Sequence, residues 1–231
     1  MDKKIYAVIM AAGSGTRMGG EMPKQFLPLG GIPILRRTIE RFTRACPDAR
    51  IVTVLPKDSI PWWKEYCSAH FSHCTQLLVE GGITRFHSVR NALAKIPDGV
   101  VVAVQDGVRP LVSEDLIRRM AARMDEVRAL IPVVPMVDTL KVLERDAGGE
   151  LRTAEGRQVD RASIFGAQTP QMFRSEDLKE AYAQAYDTAF TDDASVALKK
   201  GIPLSYIKGE RYNLKITTPD DLRLAEAILT L

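Results

Sequence analysis

Short apolar runs alternate with longer segments of helical periodicity through the first half of the chain. Residues 5–11 are almost wholly apolar and stop at a glycine, the pattern of a strand covered on both faces. Ile34, Leu35, Thr38, Ile39 and Phe42 then recur at intervals of three and four, predicting a helix over 33–45 that Pro33 opens. Further strands are expected at 51–55, 75–80 and 100–105, and helices at 59–71 and 84–96. Ser113 has the chemistry of an N-cap, and Glu114 and Asp115 supply an acidic first turn to the helix it starts. Strands alternating with helices of about a dozen residues imply a parallel sheet covered on both faces. Ligands of such sheets bind beyond the carboxyl ends of the strands.

The alternation breaks at 136–165. Two extended segments, 139–143 and 151–159, flank the turn Asp146-Ala-Gly-Gly149, and neither carries enough apolar residues to bury a face. A protruding β-arm that packs on something else is the expectation, with a second subunit the natural candidate. Helical periodicity returns at 175–189 and 192–199. The last helix is marked by Thr218 as N-cap, Pro219 at its first position, Asp220 and Asp221 in the first turn, and Leu222, Leu224, Ala225 and Ile228. Without internal repeats or low-complexity tracts, residues 1–231 read as a single α/β domain with an excursion at 136–165.

Charge and composition exclude more than they suggest. The 32 Lys and Arg against 29 Asp and Glu leave a formal charge of +3, and no basic block is interleaved with aromatics, so nucleic acid is not an expected partner. The longest apolar runs, 100–104 and 129–134, fall far short of the ~20 residues that span a bilayer. Glycines and Arg17 follow the first apolar run where a cleavage site would stand, so a cytoplasmic protein is expected. The three cysteines, Cys46, Cys67 and Cys74, read as reduced thiols. In Cys67-x2-His70-x2-His73-Cys74, positions 67, 70 and 74 could share a helical face around zinc, but Cys67, Phe71 and Cys74 read more simply as apolar positions of a core helix.

The strongest local chemistry lies in Ala11-Ala-Gly-Ser-Gly-Thr-Arg-Met-Gly-Gly20, followed by Pro23-Lys24-Gln25. Small residues let backbone amides approach an anion closely. The loop lacks the Gly-Lys-Ser/Thr of a Walker loop, and Met18 breaks the dinucleotide fingerprint. Arg17 and Lys24 instead add two cations, which suits a triphosphate whose charge must be neutralised during transfer.

This segment resembles the signature of sugar-phosphate nucleotidylyltransferases. Downstream stand Glu80-Gly-Gly82-x-x-Arg85-x-x-Ser88-Val89, Asp106-Gly-Val-Arg109-Pro110, Val137-Asp-Thr139-Leu-Lys141 and Val159-Asp-Arg161. Gln168-Thr169-Pro170-Gln171, Thr191-Asp-Asp-Ala-Ser195 and Asn213-Leu-Lys215-Ile-Thr-Thr-Pro219 complete the series. In that order they resemble the 2-C-methyl-D-erythritol 4-phosphate cytidylyltransferase family over nearly the whole chain. The resemblance implies a Rossmann-like, mostly parallel sheet with helices on both faces, and a β-arm used in dimerisation. It implies CTP and methylerythritol phosphate as substrates, Mg²⁺ as cofactor, and a place in the non-mevalonate isoprenoid pathway.

Carried onto matching positions, the resemblance makes Arg17 and Lys24 the pair that stabilises the transition state. Ala11, Ala12, Gly13, Ser14, Gly15, Gly82 and Ser88 become the nucleotide pocket, and Asp106 an acid near the phosphates and the metal. Arg109, Thr139, Arg161, Thr169 and Lys215 become the sugar-phosphate site, with Arg161 and Lys215 also catalytic and Arg161 delivered across a homodimer interface. Gln105 and Gly107-Val108 depart from the His and Ala-Ala frequent in the family, which bears on packing beside Asp106. Thr191–Ser195 reads first as a capped helix start. The attacking phosphate oxygen is already largely ionised, its second pKa being about 6, so no general base is needed. His70, His73 and His87 lie outside the catalytic motifs. Two alternatives stay open: another acceptor such as a pentitol phosphate or a sugar 1-phosphate, and a non-catalytic nucleotide-binding module.

Overall fold

The computed structural model describes residues 4–13, 22–154 and 159–230. Its elements run β1 (Ile5–Met10), a 3-10 turn at Lys24–Phe26, β2 (Pro28–Leu29), β3 (Ile32–Pro33) and α1 (Ile34–Ala45). Then come β4 (Arg50–Leu55), α2 (Ile60–His70), β5 (Gln76–Glu80), α3 (Arg85–Leu93), β6 (Val101–Asp106), α4 (Glu114–Arg123) and β7 (Ala129–Pro135). A hairpin of β8 (Leu143–Arg145) and β9 (Leu151–Thr153) precedes β10 (Phe165–Ala167) and β11 (Gln171–Arg174). The chain continues with α5 (Ser175–Tyr182), α6 (Asp193–Lys199), β12 (Ser205–Lys208) and α7 (Pro219–Leu229).

Eight strands form the main sheet, and β5, β4, β1 and β6 pair in that order in parallel register. β11 runs antiparallel between β6 and β7. Leu130 pairs with both Met172 and Ser205, and Val133 with both Ala167 and Lys208. β10 and β11 therefore share one edge of β7, while β12 takes the other in parallel. The mostly parallel sheet and its helices on both faces are those the sequence pattern predicts.

Alternation along the strands splits the core into two layers. Val8, Val52, Val54, Val102 and Val104 face α3, α5 and α6, where Phe86, Leu178 and Val196 meet them. Ala7, Ile9, Ile51, Leu55 and Ala103 face α1, α2 and α4, against Phe42, Trp63 and Leu116. Each valine, leucine, isoleucine or phenylalanine among them contributes roughly 1.5–3 kcal/mol when fully removed from water, so a one-residue slip of a central strand is strongly disfavoured. Parallel pairing also aligns the carboxyl ends of β1, β4, β5 and β6 on one rim. A third cluster of Leu29, Ile34, Val108, Ile216 and Ala225 docks α7 there and carries residues 213–216 onto the rim.

Ser113 and Thr218 cap their helices as expected, Thr218 in a reciprocal capping box with Asp221, and Thr84 caps α3. Phe71 is fully buried, and Cys67 and Cys74 pack against the same layer, but α2 ends at His70, so of the three only Cys67 is a helical position. His70 lies on Tyr66 and His73 on Phe71, each with ring centroids 5.0 Å apart. The helix expected over 175–189 stops at Tyr182. Gln184 explains the stop, because its side-chain amide donates to the carbonyls of Ala181 (2.8 Å) and Val196 (2.9 Å), tying the chain end to α6.

In the 136–165 segment β8 and β9 pair only with each other, and all their side chains are exposed. Asp146 holds their turn by accepting the amides of Gly148 and Glu150 at 2.9 and 3.0 Å, and Gly149 supplies a φ of +86°. The amide of Met136 donates to the Ile164 carbonyl at 3.2 Å and closes the base. Residues 155–158 of the expected second extended segment lie outside the described residues.

Candidate active site

At the carboxyl rim of the sheet opens a cleft of about 490 Å³. It is lined by Ala11, Ala12 and Gly13 from the end of β1, by Lys24 and Gln25, by Gly82 to Arg85 with Ser88, by Asp106 and Val108, and by Lys215. The loop after β1 is anchored twice. The amide of Ala11 donates to the Val54 carbonyl at 2.9 Å, and the Ala11 carbonyl accepts from the Gln25 side chain at 2.8 Å. Gln25 thereby sets the 3-10 turn that carries Lys24, whose ammonium donates to the Ile216 carbonyl at 3.1 Å.

Asp106 ends β6. Its Oδ2 accepts from Arg109 Nε and from Lys215 Nζ, each at 3.1 Å. Burial alone would push this carboxyl up, but Lys215, Arg85 and Arg109 together outweigh it and hold it below the ordinary carboxylate range. Arg109 also donates to the Asn213 carbonyl at 2.7 Å, and the Asn213 side chain donates to the Thr169 carbonyl at 2.8 Å. The Thr169 hydroxyl accepts the Asp106 amide at 3.0 Å, which closes the ring. Three distant stretches are thus fixed around one carboxylate.

The residues beside Asp106 fit this ring. Gln105 is fully buried and donates to the Arg109 carbonyl at 3.4 Å. The amide of Gly107 donates to the Met10 carbonyl at 2.8 Å, and a Cβ there would stand only 2.9 Å from that oxygen. Glycine lets the turn lie directly on β1. On the opposite wall Ser88 Oγ accepts the Gly82 amide at 2.9 Å and donates to the Thr84 carbonyl at 3.0 Å, folding the turn onto the start of α3.

Ala11, Ala12, Gly13, Lys24, Gly82, Ser88, Asp106 and Lys215, all singled out in the sequence, therefore share one cleft, with Arg109 and Thr169 directly behind Asp106. Ser14, Gly15 and Arg17 lie outside the described residues. Thr139 and Arg161 are exposed on the 136–165 segment and do not line the cleft of their own chain. Arg161 donates instead to the Val137 carbonyl at 2.8 Å. Sequence reasoning assigned no site role to Arg85, Asp193 or Tyr182. Arg85 is gripped by Asp193 at 2.9 and 2.6 Å, and Asp193 also accepts the Tyr182 hydroxyl at 2.6 Å. The available signals were the arginine of the Gly-Gly-x-x-Arg motif and the second aspartate of the 191–195 motif.

Lys24, Lys215 and a glycine-bearing turn share a cleft with one carboxylate on the carboxyl rim of a mostly parallel sheet, where α/β folds bind their ligands, an arrangement that suits a nucleotidyltransferase. Residues 5–231 match the family described as IspD: 2-C-methyl-D-erythritol 4-phosphate cytidylyltransferase, and the chain belongs to that family. It is 46% identical over 231 residues to the protein of that name from Porphyromonas gingivalis, with both chains wholly covered. The Bacteroides thetaiotaomicron protein of the same name is 44% identical, over 98% of this chain and 100% of that one. Among solved structures, 4-diphosphocytidyl-2C-methyl-D-erythritol synthase from Anaerococcus prevotii superposes with a TM-score of 0.79 at 26% identity, covering 100% of both chains. The cytidylyltransferase from Thermus thermophilus gives 0.75 at 31% identity, again over 100% of both.

Proposed function

We propose that this protein transfers CMP from CTP to 2-C-methyl-D-erythritol 4-phosphate, with release of pyrophosphate, on the non-mevalonate route to isoprenoid precursors. The observation that carries the reading is the convergence of Lys24, Asp106 and Lys215 on one cleft beside the glycine-bearing turn. An ionised phosphate oxygen of the acceptor attacks the α-phosphorus of CTP. The bond to the bridging oxygen breaks, and pyrophosphate leaves with that electron pair. No proton has to be removed first, since the acceptor phosphate is largely dianionic near neutral pH. What the chain supplies is alignment of two polyanions and fixed positive charge on the transition state.

Lys24, held in place by Ile216, meets the triphosphate, and Arg17 is assigned to the same role from its motif alone. Ala11 to Gly15, Gly82 and Ser88 receive the nucleotide. Lys215, Arg109 and Thr169 meet the acceptor phosphate. Removing one such preorganised donor costs about 3–4 kcal/mol of transition-state stabilisation. Mg²⁺ fits this donor set: Asp106 is the one carboxylate among the described lining residues, and magnesium bound through substrate phosphates needs only one or two. When bound beside Asp106, the ion neutralises triphosphate charge.

Thr139 and Arg161 belong to the same reading through a homodimer. Val137, Leu143, Leu151, Ile164 and Phe165 leave an apolar surface on the 136–165 segment, which supports its role as an arm covered by a second copy. The arm then brings Arg161 to the partner's acceptor site. No helix among the described residues is long and apolar enough to cross a membrane. The free Cys46, Cys67 and Cys74 support action in the reducing cytoplasm.

The test is incubation with CTP, Mg²⁺ and a panel of phosphorylated polyols and sugars, followed by pyrophosphate release and mass analysis of the cytidine product. Turnover of methylerythritol phosphate above the other acceptors is expected. Preference for ribitol 5-phosphate or a sugar 1-phosphate overturns the acceptor assignment, and no release with any acceptor overturns the activity.

A further inference from the structure

Arg85 opens α3, where a helix N-terminus disfavours a cation and no acidic residue stands in the first turn. Its charge is matched from elsewhere. Asp193, fully buried in the first turn of α6, takes both terminal nitrogens of the guanidinium, at 2.9 and 2.6 Å. Tyr182 of α5 donates to the same carboxylate at 2.6 Å, with its ring stacked on Phe86 at 4.7 Å. Burial on its own would discourage the charge on Arg85, but Asp193 more than restores it. Asp193 is fully buried while the Arg85 side chain is 32% exposed at the cleft, and such a pair is a poor source of stability by itself, so its consequence lies in geometry.

That geometry reaches the cleft. The turn at 81–84 is squeezed between the first loop and α3: a Cβ on Gly81 would meet Ala12 Cβ at 2.5 Å, and one on Gly82 would meet His87 Cβ at 2.5 Å. The Gly82 amide is held by Ser88 from the same helix. Wherever the start of α3 sits, the nucleotide wall follows. Asp193 takes one N–H from each terminal nitrogen of Arg85, which ties the start of α3, and the wall it carries, to α6.

We infer that Arg85, clamped by Asp193 and Tyr182, is a positioning residue for nucleotide capture, setting the 82–84 turn against the loop after β1. The inference rests on the cytidylyltransferase reading and assigns the 191–195 motif to the nucleotide half of the reaction. Steady-state kinetics on Asp193→Asn, Tyr182→Phe, Arg85→Lys and Arg85→Gln test it, with calorimetric binding of CTP alone as a readout that needs no turnover. Asp193→Asn is expected to raise KM and Kd for CTP about tenfold, with kcat and the acceptor KM within about twofold of the parent. Tyr182→Phe, which keeps the ring stack, shifts both CTP constants in the same direction by about threefold, and Arg85→Lys recovers part of the loss in Arg85→Gln. Unchanged CTP constants in Asp193→Asn overturn the inference, as does an equal rise in both KM values. Should Asp193→Asn fail to fold, Tyr182→Phe decides by the same readings. Failure of the parent protein to release pyrophosphate sinks the functional reading instead, while the CTP titrations still report on the clamp.

Discussion

Lys24 donates through its ammonium to the Ile216 carbonyl at 3.1 Å, across 192 residues of sequence. The acceptor is itself rigid, since Ile216 is fully buried and its amide donates to the Val108 carbonyl at 2.9 Å. A lysine seated this firmly adds charge to a transition state without reorganising. Lys24→Ala is expected to lower kcat by about 10²–10³ while CTP affinity changes far less, measured by pyrophosphate release and calorimetry. A loss confined to KM would reject a transition-state role.

Arg161 lies off its own cleft, so the dimer reading makes a mixing prediction. Lys24→Ala and Arg161→Ala proteins are each expected to be nearly inactive alone. Unfolded and refolded together in equal amounts, they form mixed dimers with one intact site, restoring about a quarter of the parent rate. No recovery, in a mixture shown by sedimentation to be dimeric, would mean that Arg161 does not serve a neighbouring site.

Asp221 ties down the start of α7. It accepts the amides of Thr217 and Thr218, each at 2.8 Å, and the Thr217 hydroxyl at 2.7 Å. Slight burial would push its carboxyl up, but these bonds draw it down to about 2. With an unfolded value of about 3.9, the group stabilises the native state above about pH 4 and loses that effect as pH falls through about 2. Asp221→Asn should therefore be less stable by about 1 kcal/mol at pH 7. In urea titrations the gap should narrow below pH 4 and close near pH 2, and a constant gap down to that pH would reject the account.

Burial pushes all three thiols up, Cys74 to about 11 with Cys67 and Glu40 adding to the effect. The thiolate is the reactive form. Native protein at pH 8 should accordingly react slowly with a thiol-specific disulfide reagent, and unfolded protein should titrate three thiols at once. Rapid native labelling of Cys74 would show that the loop between α2 and β5 is not packed as described.

Much of the sheet was legible because its strands are local and bury both faces: Ala7 and Ile9 go to one layer and Val8 to the other, with no polar residue to obscure the run. Helix starts were equally plain at Ser113 and Thr218, whose caps act within four residues. β10 and β11 were not foreseen, since their places along β7, with β11 also reaching β6, depend on pairing across tens of residues. Gln184 ended a helix that periodicity would have continued, through a bond to α6 that no local pattern encodes. The site divides in the same way. Motif order and resemblance singled out Lys24, Asp106 and Lys215, whereas the grip of Asp193 on Arg85 joins residues 108 apart and became visible only in three dimensions.

The carbonyl that seats Lys24 and the ammonium of Lys215 both belong to the stretch just before α7, which follows every strand of the main sheet in chain order. During synthesis, β1, β4, β5 and β6 can assemble while that stretch is still inside the ribosome. The nascent polypeptide would then possess a sheet but no competent centre. Translation that stops short, or proteolytic trimming ahead of Asn213, would leave a product with neither Lys215 nor the seat of Lys24, and hence without turnover.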